Sequence, residues 1–553
     1  MAEPSELHTP ILVVGGGTGG IAAALAIARR GGRCIVAEPT DWVGGQLTSQ
    51  AVPPDENRWI EASSRVAGAN ASYLAFREGV RAACRQRNLT PAAHADPELN
   101  PGGGWVSRLC CEPATAHIVL MAMLAPHLMS GAVRVLHHHR PVAAEVRGDR
   151  IHAVTFDTPH GERLAVSADQ FLDASELGDL LQLAEAEHRI GAESQSETGE
   201  LHARTGEPDP TDLQGPSWVF ALEHRPGEDH TIDRPSRYGF WRDWVPPVEP
   251  AWPGPLLSWT CCDHAFRPRL LDLVPPPDTP EDDRLELWRY RRIVDPSLYA
   301  GPDRPPDVTS INCVQMDYFE APTLGVSPEA QARAFDQAKQ LSRCFLYWMQ
   351  TEAPRHDGGQ GYPGLKLRGD ELGTADGFAK APYIREARRL EAIHMLSEAD
   401  LGDDQRRAAG FRVAPESGAA VGEPFPDAVA IGHYPIDLHP TPAGRNAVYV
   451  PACPFRVPLR SLIPVRIDNL MAAGKCLGVT HIANGATRLH PVEWAIGEAA
   501  GEAATLAVER GESPRGVALS AQTLAELLER LDDAGVPLAW PWDDAAAPAV
   551  TKA

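Results

Sequence analysis

The sequence of 553 residues has little basic charge and no long apolar run. Lysine and arginine number 51 against 74 aspartate and glutamate, a formal net charge of −23. This deficit argues against nucleic acid and anionic membranes as partners, because phosphate binding needs a basic surface. No apolar run approaches the roughly 18 residues of a membrane span, so no transmembrane helix is predicted. The first residues lack the basic region of a signal peptide, and we expect a cytoplasmic protein.

The ten cysteines show no Cys-x-x-Cys spacing, which predicts free thiols in a reducing compartment. Two pairs are adjacent, Cys110-Cys111 and Cys261-Cys262, but neighbouring cysteines form strained disulfides and lack the geometry of dithiol redox sites. We therefore expect no active-site disulfide. His137 and His139 share one face of a predicted strand, yet a solvated strand end explains them, and no metal site is predicted.

The first 38 residues carry the clearest motif. An apolar run from Ile11 to Val14 leads into a glycine-rich turn from Gly15 to Gly20, followed by an Ala/Leu/Ile helix and a second apolar run that ends at Glu38. This order predicts a dinucleotide-binding βαβ unit. Glycine-rich turns also arise by chance in a chain with 48 glycines, so the flanking strands and helix support the prediction.

Each part of this unit has a physical role. Gly15 permits the tight turn, Gly17 lets a pyrophosphate approach the backbone, and Gly20 lets the helix lie close to the sheet. The first N–H groups of the helix, at the positive end of its dipole, favour phosphate. Glu38 can accept hydrogen bonds from both ribose hydroxyls.

This pattern fits NAD or FAD, and three further features favour FAD. A second glycine pair, Gly44-Gly45, follows the acid directly, which suits a loop that runs along the nucleotide. An apolar strand ends at Asp173 and is followed by Ala174, Gly178 and Asp179. Near the C-terminus, a strand and glycine turn lead to Pro491, which suits the first turn of a helix whose N–H groups can face a flavin.

Together these segments resemble the FAD-dependent oxidoreductase family related to the glutathione-reductase class of flavoproteins. The resemblance rests on residues 15–38, 42–48, 105–110, 173–179, 383–389, 432–437 and 474–501. It implies an α/β fold with a discontinuous Rossmann-like FAD-binding domain, a β-meander and an α+β substrate domain, with FAD held non-covalently. We expect these residues to bind the cofactor: Gly15, Gly17, Gly19, Gly20, Glu38, Gly44, Gly45, Gln46, Arg108, Ala174, Asp179, Gly474, Lys475, His490 and Val492.

We predict four parts: a first FAD-binding part over 1–185, a substrate or cap domain over 186–430, a return of the FAD-binding domain over 431–510, and a helix with a weakly structured tail over 511–553. The β-meander is predicted at 133–136, 142–146 and 151–156. Helices are predicted at 331–349, 383–395 and 523–531. Residues 198–310, with their Pro-rich run at 274–280, predict loops and short strands.

Candidate catalytic residues lie in two C-terminal segments. In the first, a strand would place His433, Asp437 and His439 on one face and Tyr434 on the other, unless Pro435 breaks the alternation. A carboxylate beside an imidazole orients it and raises its basicity, which suits proton transfer. The alternative is a loop whose polar groups cap one another.

In the second segment, His481 and Arg488 flank the glycine turn expected near the flavin. Arg488 could bind a substrate carboxylate or the flavin, and His481 could carry a proton; alternatively, both stabilise the loop. His490 precedes Pro491 and suits the helix start. Three arginines of the predicted helix 383–395 suit either an anion or salt bridges with Glu386 and Glu391; they are Arg385, Arg388 and Arg389.

These observations predict an FAD-dependent oxidoreductase that transfers hydride between a small organic substrate and flavin N5. Nothing in the sequence marks a second strand–glycine turn–helix unit that would bind NAD(P)H, which favours reoxidation by O2 or a small acceptor. The alternative of a flavin-dependent monooxygenase stays open. A protein that acts on RNA is disfavoured by the acidic charge, and a protein that uses FAD only structurally would lack a cavity beside flavin N5. Tryptophans of the cap suit an aromatic ligand or a core; they are Trp218, Trp241, Trp244, Trp252 and Trp259. The sequence does not indicate the oligomeric state.

Overall fold

The computed structural model describes residues 5–64, 66–274 and 284–543. Its main layer is a seven-stranded sheet in the order β3-β2-β1-β6-β5-β4, with β20 also paired to β6. The bounds of these strands are β1 Ser5–Val14, β2 Cys34–Glu38, β3 Val133–His137, β4 Arg140–Arg147, β5 Arg150–Asp157, β6 Arg163–Asp173 and β20 Leu470–Ala472. Most of the predicted Pro-rich run at 274–280, and the tail after 543, lie outside the described residues.

Strand β6 has both parallel and antiparallel neighbours in the sheet. Its first half pairs antiparallel with β5, while its last three residues pair parallel with β20, and β1 lies parallel along its other edge. The sheet therefore contains strands from both ends of the sequence, as the discontinuous domain predicts. One detail of the predicted β-meander is wrong: the strand at 133–136 pairs parallel with β2, and the antiparallel meander consists of β4, β5 and β6.

Helices cover both sides of this sheet and the cap. Their bounds are α1 Thr18–Arg29, α2 Ala71–Arg85, α3 Pro91–Ala95, α4 Pro113–Ser130, α5 Asp179–Leu183, α6 Gln195–Thr198, α7 Tyr238–Asp243, α8 Leu287–Tyr290, α9 Pro328–Thr351, α10 Gly369–Leu372, α11 Glu398–Leu401, α12 Asp403–Ala408, α13 His481–Thr487, α14 His490–Arg510, α15 Pro514–Leu519 and α16 Ala521–Asp533. The helices predicted at 331–349 and 523–531 are confirmed as α9 and α16.

Glycines bring α1 and α14 into direct backbone contact. A Cβ on Gly497 would lie 2.0 Å from the carbonyl oxygen of Gly19, and a Cβ on Gly501 would lie 2.5 Å from that of Ala23. Helices that carry side chains at such positions cannot approach so closely. The small residues of α14 therefore pack the C-terminal return against the first helix of the βαβ unit.

A second core contains residues of three antiparallel strands, 220–224, 308–311 and 365–367, and of the long helix α9. Three of the cap tryptophans are core residues here: Trp241, Trp252 and Trp259 are buried. The remaining strands are β7 His188–Arg189, β8 Phe220–His224, β9 Thr260–Cys262, β10 Pro268–Asp272, β11 Arg284–Glu286, β12 Arg292–Val294, β13 Val308–Ile311, β14 Leu365–Leu367, β15 Arg389–Leu390, β16 Ala428–Gly432, β17 Ile436–Leu438, β18 Val448–Val450 and β19 Phe455–Pro458.

The helix predicted at 383–395 is wrong. This segment is irregular apart from β15, which pairs antiparallel with β7. Its charged side chains are buried and point to different partners: Arg385 contacts Asp317 at 2.9 Å, Glu386 contacts His481 at 2.9 Å, and Arg389 contacts Glu193 at 3.0 Å. These tertiary ion pairs override the helix propensity of the Ala/Arg/Glu-rich sequence.

The predicted salt bridges of this segment are partly wrong as well. Glu391 pairs with Arg189 at 2.5 Å rather than with a neighbouring arginine, whereas Arg389 does lie 3.6 Å from Glu386. Arg388 lies 3.5 Å from Asp179.

Helix α4 is an apolar helix of 18 residues, which the sequence pattern did not predict. By length and composition alone it could cross a membrane, and it is 33% buried inside the protein. Its buried residues Leu120 and Leu124 belong to the main hydrophobic core, as expected of a core helix. One such helix is weak evidence for a membrane span.

All ten cysteines are free. Within the described residues, no group of three or more His, Cys, Asp or Glu side chains could hold a metal ion. Strand β3 ends at His137, and His138 has φ +58, so the three histidines do not continue one extended strand.

Candidate functional site

The glycine-rich turn joins β1 to α1 as the sequence predicts. Gly15 has φ +102, and a Cβ there would lie 2.3 Å from the carbonyl oxygen of Ala174, so only glycine fits. The amide of Gly15 donates to the carbonyl of Ala37 at 2.8 Å, and Gly17 caps α1. The turn therefore presents bare backbone and the positive end of α1 to one face.

Glu38 ends β2 beside this turn and is buried. Its carboxylate accepts hydrogen bonds from the amide of Gly16 at 3.0 Å and from the amide and hydroxyl of Thr40 at 2.8 and 2.7 Å. Burial nonetheless raises the pKa of Glu38 to about 7, since loss of solvent outweighs these hydrogen bonds.

The second glycine pair is tied to the first. The amide of Gly44 donates to the carbonyl of Gly16 at 2.8 Å, and the hydroxyl of Thr18 donates to the carbonyl of Gly44 at 3.0 Å. Gly45 has φ +52 and starts a short 3-10 turn through Gln46. This loop therefore extends the bare backbone surface of the turn.

Asp173 shapes the loop after β6. Its carboxylate accepts from the amide and hydroxyl of Ser175 at 3.0 and 2.6 Å and from the amide of Leu181 at 3.0 Å. The hydroxyl of Ser175 in turn accepts from the amide of Asp179 at 2.6 Å. The buried aspartate thus holds the turn that faces the glycine loops.

These loops enclose a cavity of about 460 Å³. It is lined by the glycine turn, Glu38, Gly45, the loop 174–179, the start of β4 and residues 380–382. Trp218 and Phe335 also line it. Of the residues expected to bind a cofactor, the cavity therefore contains Gly15, Gly17, Glu38, Gly45, Ala174 and Asp179.

A buried charge cluster lies beside the cavity. The ammonium of Lys475 forms ion pairs with Glu176 and, at 3.8 Å, with Glu493. Glu493 accepts a hydrogen bond from the side-chain amide of Gln46, which also donates to the carbonyl of Arg488 at 3.0 Å. Burial raises the pKa of Glu493 to about 7, although the Lys475 charge opposes the shift.

A second polar cluster contains most of the predicted catalytic residues. Nδ1 of His439 lies 2.6 Å from Asp317, and its Nε2 lies 3.5 Å from Asp437. Asp437 lies 3.6 Å from Arg488, whose guanidinium also donates to the hydroxyl of Tyr383 at 2.9 Å. Although burial opposes ionisation, His439 and Arg488 hold the pKa of Asp437 well below its usual range. The imidazole is therefore held between two carboxylates.

A smaller cavity of about 100 Å³ opens onto this cluster. His439 and Asp437 line it, together with the rings of Trp252, Phe266 and Tyr449. The side chain of His439 is 17% exposed, whereas Asp317 is fully buried. The imidazole is thus accessible from the cavity, and its partner Asp317 is not.

Other predicted residues lie apart from this cluster. The extended stretch shortens to β17, and His433 packs on the ring of Trp59 at 4.9 Å, so it does not share a face with Asp437 and His439. His481 is buried at the start of α13, where it contacts Glu386. Arg108 is exposed and lies outside the cavity-lining residues, so its role stays a prediction.

Further residues predicted to bind the cofactor lie at the start of α14 or beside it. Nδ1 of His490 accepts a hydrogen bond from the amide of Asp55 at 3.1 Å. Burial, with help from Arg291, lowers the pKa of His490 to about 3, so its ring is neutral near pH 7. Val492 packs closely against Gly432, and Gly474 follows β20 beside Glu493.

The sequence analysis missed several members of these clusters. Glu176 and Glu493 stand inside recognised segments, but nothing in the pattern marked them as ion-pair partners of Lys475. Arg291 lies in the range 198–310 that predicts only loops and short strands, and Asp317 follows it outside the segments that carry the family resemblance. No local pattern in the sequence marks either residue as part of a site.

Comparisons with known proteins identify the family. The family model described as FAD dependent oxidoreductase matches residues 10–531, nearly the whole chain. The chain belongs to this family, and the protein is an FAD-dependent enzyme. The comparison with curated proteins gave no match.

Similar solved structures include a geranylgeranyl bacteriochlorophyll reductase-like protein from Thermoplasma acidophilum, at 10% identity over 96% of this chain and 84% of that one, with a TM-score of 0.32. They also include L-proline dehydrogenase from P. horikoshii, at 10% identity over 36% and 27%, TM-score 0.18, and the flavin-dependent monooxygenase PieE, at 14% identity over 39% and 35%, TM-score 0.24. The match spans about a quarter of the dehydrogenase and a third of PieE. These likenesses do not bear on the reaction.

The residues of the large cavity fit FAD. Gly17 and Gly45 expose backbone where a Cβ would lie within 2.8 Å of Glu176 Oε1. Among the described residues, buried Oε1 of Glu176 and Nε2 of Gln50 have no hydrogen-bond partner. A dinucleotide would supply partners for such groups, with its phosphates at the N-terminus of α1 and its ribose at Glu38.

Proposed function

We propose that this FAD-dependent enzyme transfers hydride between the flavin and a small organic substrate, with His439 as the proton carrier. The observation that supports this most directly is the imidazole of His439 held between Asp317 and Asp437 at the wall of a cavity. A base that is oriented by a buried carboxylate and open to a cavity has the geometry of general acid–base catalysis.

In this proposal the cofactor, His439 and the two carboxylates have separate roles. Bound FAD supplies the site that accepts or gives the hydride and its two electrons. In the oxidative direction, Nε2 of His439 takes the proton released by the substrate, while Asp317 accepts from Nδ1–H and fixes the tautomer. In the reductive direction, the protonated imidazole returns that proton. Asp437 stays ionised and stabilises the imidazolium.

A continuous chain of contacts joins this cluster to the FAD cavity. Gln46, beside the second glycine pair, donates to the carbonyl of Arg488, and Arg488 donates to the carbonyl of Asp437 at 3.0 Å. We propose that Arg488 and Tyr434 orient the substrate, since both belong to this cluster. For His481, the contact with Glu386 supports the alternative that it stabilises the start of α13.

We also propose that residues 186–430 form the substrate-binding cap. Two residues of this range belong to the proposed site. Trp252 lines the small cavity together with His439, and Asp317 pairs with His439. Since the sequence contains one dinucleotide motif, the proposed acceptor is O2 or a small molecule.

The test is anaerobic mixing of the purified holoenzyme with candidate organic substrates and, separately, with NADH and NADPH. The flavin absorbance reports the redox state. Bleaching by an organic substrate, with no bleaching by either nicotinamide, supports the proposal. Bleaching by a nicotinamide alone contradicts it and favours a reductase or monooxygenase.

A further inference from the structure

In the described part of the chain, two buried arginines, Arg291 and Arg488, have N–H groups without a hydrogen-bond partner. Arg291 is 7% exposed and Arg488 is 3% exposed. Each lies near a carboxylate but beyond hydrogen-bond distance of it: Arg291 at 3.7 Å from Asp55, and Arg488 at 3.6 Å from Asp437. Among the described residues, Nε of each guanidinium has no partner. Buried N–H groups without acceptors are costly, so this arrangement favours an anionic ligand.

The remaining contacts of both arginines are with neutral groups. Arg291 donates to the carbonyl of Pro53 at 3.4 Å and lies 4.9 Å from the ring centre of Tyr290. Arg488 donates to a backbone carbonyl and to the hydroxyl of Tyr383. These neutral partners leave the planar fork of donors available for a carboxylate, which binds guanidinium groups in a bidentate manner.

The two guanidinium groups share the same charged and phenolic neighbours. Burial opposes the charged form of each guanidinium, but neighbouring groups that include Asp55, Tyr383 and Tyr434 outweigh it and raise the pKa of both. Burial also raises the pKa of Tyr434, so its phenol keeps its proton and can donate a hydrogen bond.

We infer that the substrate carries a carboxylate group, which Arg291 and Arg488 bind together with the hydroxyl of Tyr434. This inference rests on the proposed function, because it names the substrate class of the same site. Asp437 touches both Arg488 and His439, so a carboxylate held here places the adjoining carbon of the substrate near the imidazole.

The experiment measures binding and not turnover. Acetate, propionate and benzoate are titrated into the oxidised holoenzyme, and the perturbation of the flavin spectrum and the heat of binding are recorded. Acetamide, propionamide, benzamide and benzylamine serve as uncharged and cationic controls of similar shape. The inference predicts saturable binding of at least one carboxylate, at least about tenfold tighter than its amide. Binding of an amide or benzylamine as tight as that of every carboxylate, or no binding by any carboxylate, overturns it.

Variants locate the binding. Arg291→Gln and Arg291→Lys should weaken carboxylate binding at least about tenfold, since lysine keeps the charge but loses the donor fork. Tyr434→Phe should weaken it several-fold, which keeps the test informative if an arginine variant does not fold. The matched control is Arg289→Gln, because Arg289 is a neighbouring side chain that is 51% exposed. Unchanged binding in folded Arg291 and Tyr434 variants overturns the inference. Carboxylate binding without flavin reduction by any substrate would contradict the proposed function alone.

Discussion

Nδ1 of His439 lies 2.6 Å from the buried carboxylate of Asp317. The two residues are 122 positions apart in the sequence, one in the cap range and one in the C-terminal return. Asp317 is also paired with Arg385 at 2.9 Å, so the carboxylate is held from both sides. This pairing joins two distant parts of the sequence at the proposed catalytic base.

Replacing Asp317 should impair catalysis through His439. Asp317→Asn keeps the shape but accepts weakly from Nδ1–H and permits the wrong tautomer, so we expect kcat to fall about 100-fold or more and the pH profile of kcat to shift. FAD content should be unchanged. The exposed Asp404→Asn is the matched control. Equal kcat and equal pH profiles in both variants would remove Asp317 from the mechanism.

Replacing Gly17 should abolish FAD retention. A Cβ at this position would lie 2.8 Å from Glu176 and would project into the cavity beside the N-terminus of α1. Gly17→Val should therefore yield folded, colourless protein, as judged by circular dichroism and by the ratio of flavin to protein absorbance. Gly516→Ala in α15, where the nearest atom is 3.6 Å from the added Cβ, should keep its FAD. Full occupancy in Gly17→Val would refute the assigned cradle.

The contribution of Glu38 to the stability of the apoprotein should fall as the pH rises from about 4.5 to 7. Burial raises the pKa of Glu38 from 4.5 to about 7, so in this window the folded state holds a proton that the unfolded chain has released. Glu493 acts in the same direction. The buried ring of His490, whose pKa is lowered to about 3, acts in the opposite direction, so the test is the difference between two proteins. In urea unfolding at several pH values, wild type should lose stability relative to Glu38→Gln through this window. A difference between the two proteins that stays constant or changes the other way with pH would contradict the sign.

Removing the buried ammonium of Lys475 should destabilise the fold. Lys475→Met leaves Glu176 and Glu493 without their cation, and breaking a buried pair costs about 3 kcal/mol or more. The double variant with Glu176→Gln should regain part of this loss. Lys366→Met, at a half-exposed ion pair with Glu223, should cost less than about 1 kcal/mol in the same urea experiment. Equal losses in the two lysine variants would argue against a buried charge cluster.

The sequence predicted the nucleotide-binding unit well because its signals are local. The turn at Gly15, the helix α1 and the acid at Glu38 lie within one short stretch, and each has a conformational or chemical requirement that few residues meet. The return through Lys475 and the packing of α14 on α1 were also predictable, since small residues mark close backbone contacts.

The rest depended on contacts between distant residues. The segment 383–395 has the composition of a helix, but its buried charges are paired with Asp317, Glu193 and His481, and no local pattern reveals that. Asp317 and Arg291 were missed for the same reason. Asp437 and His439 were recognised from their proximity in sequence, while the cavity and partners that give them a role come from the fold.

The most direct test of the account compares wild type with His439→Gln in anaerobic rapid mixing with a substrate that bleaches the wild-type flavin. Both proteins should contain equal FAD, since His439 does not line the FAD cavity. We expect flavin reduction in the variant to be at least about 100-fold slower than in wild type. This difference in rate should shrink at higher pH, as hydroxide replaces the missing base. Bleaching of both proteins at the same rate would contradict the assignment of His439 as the proton carrier.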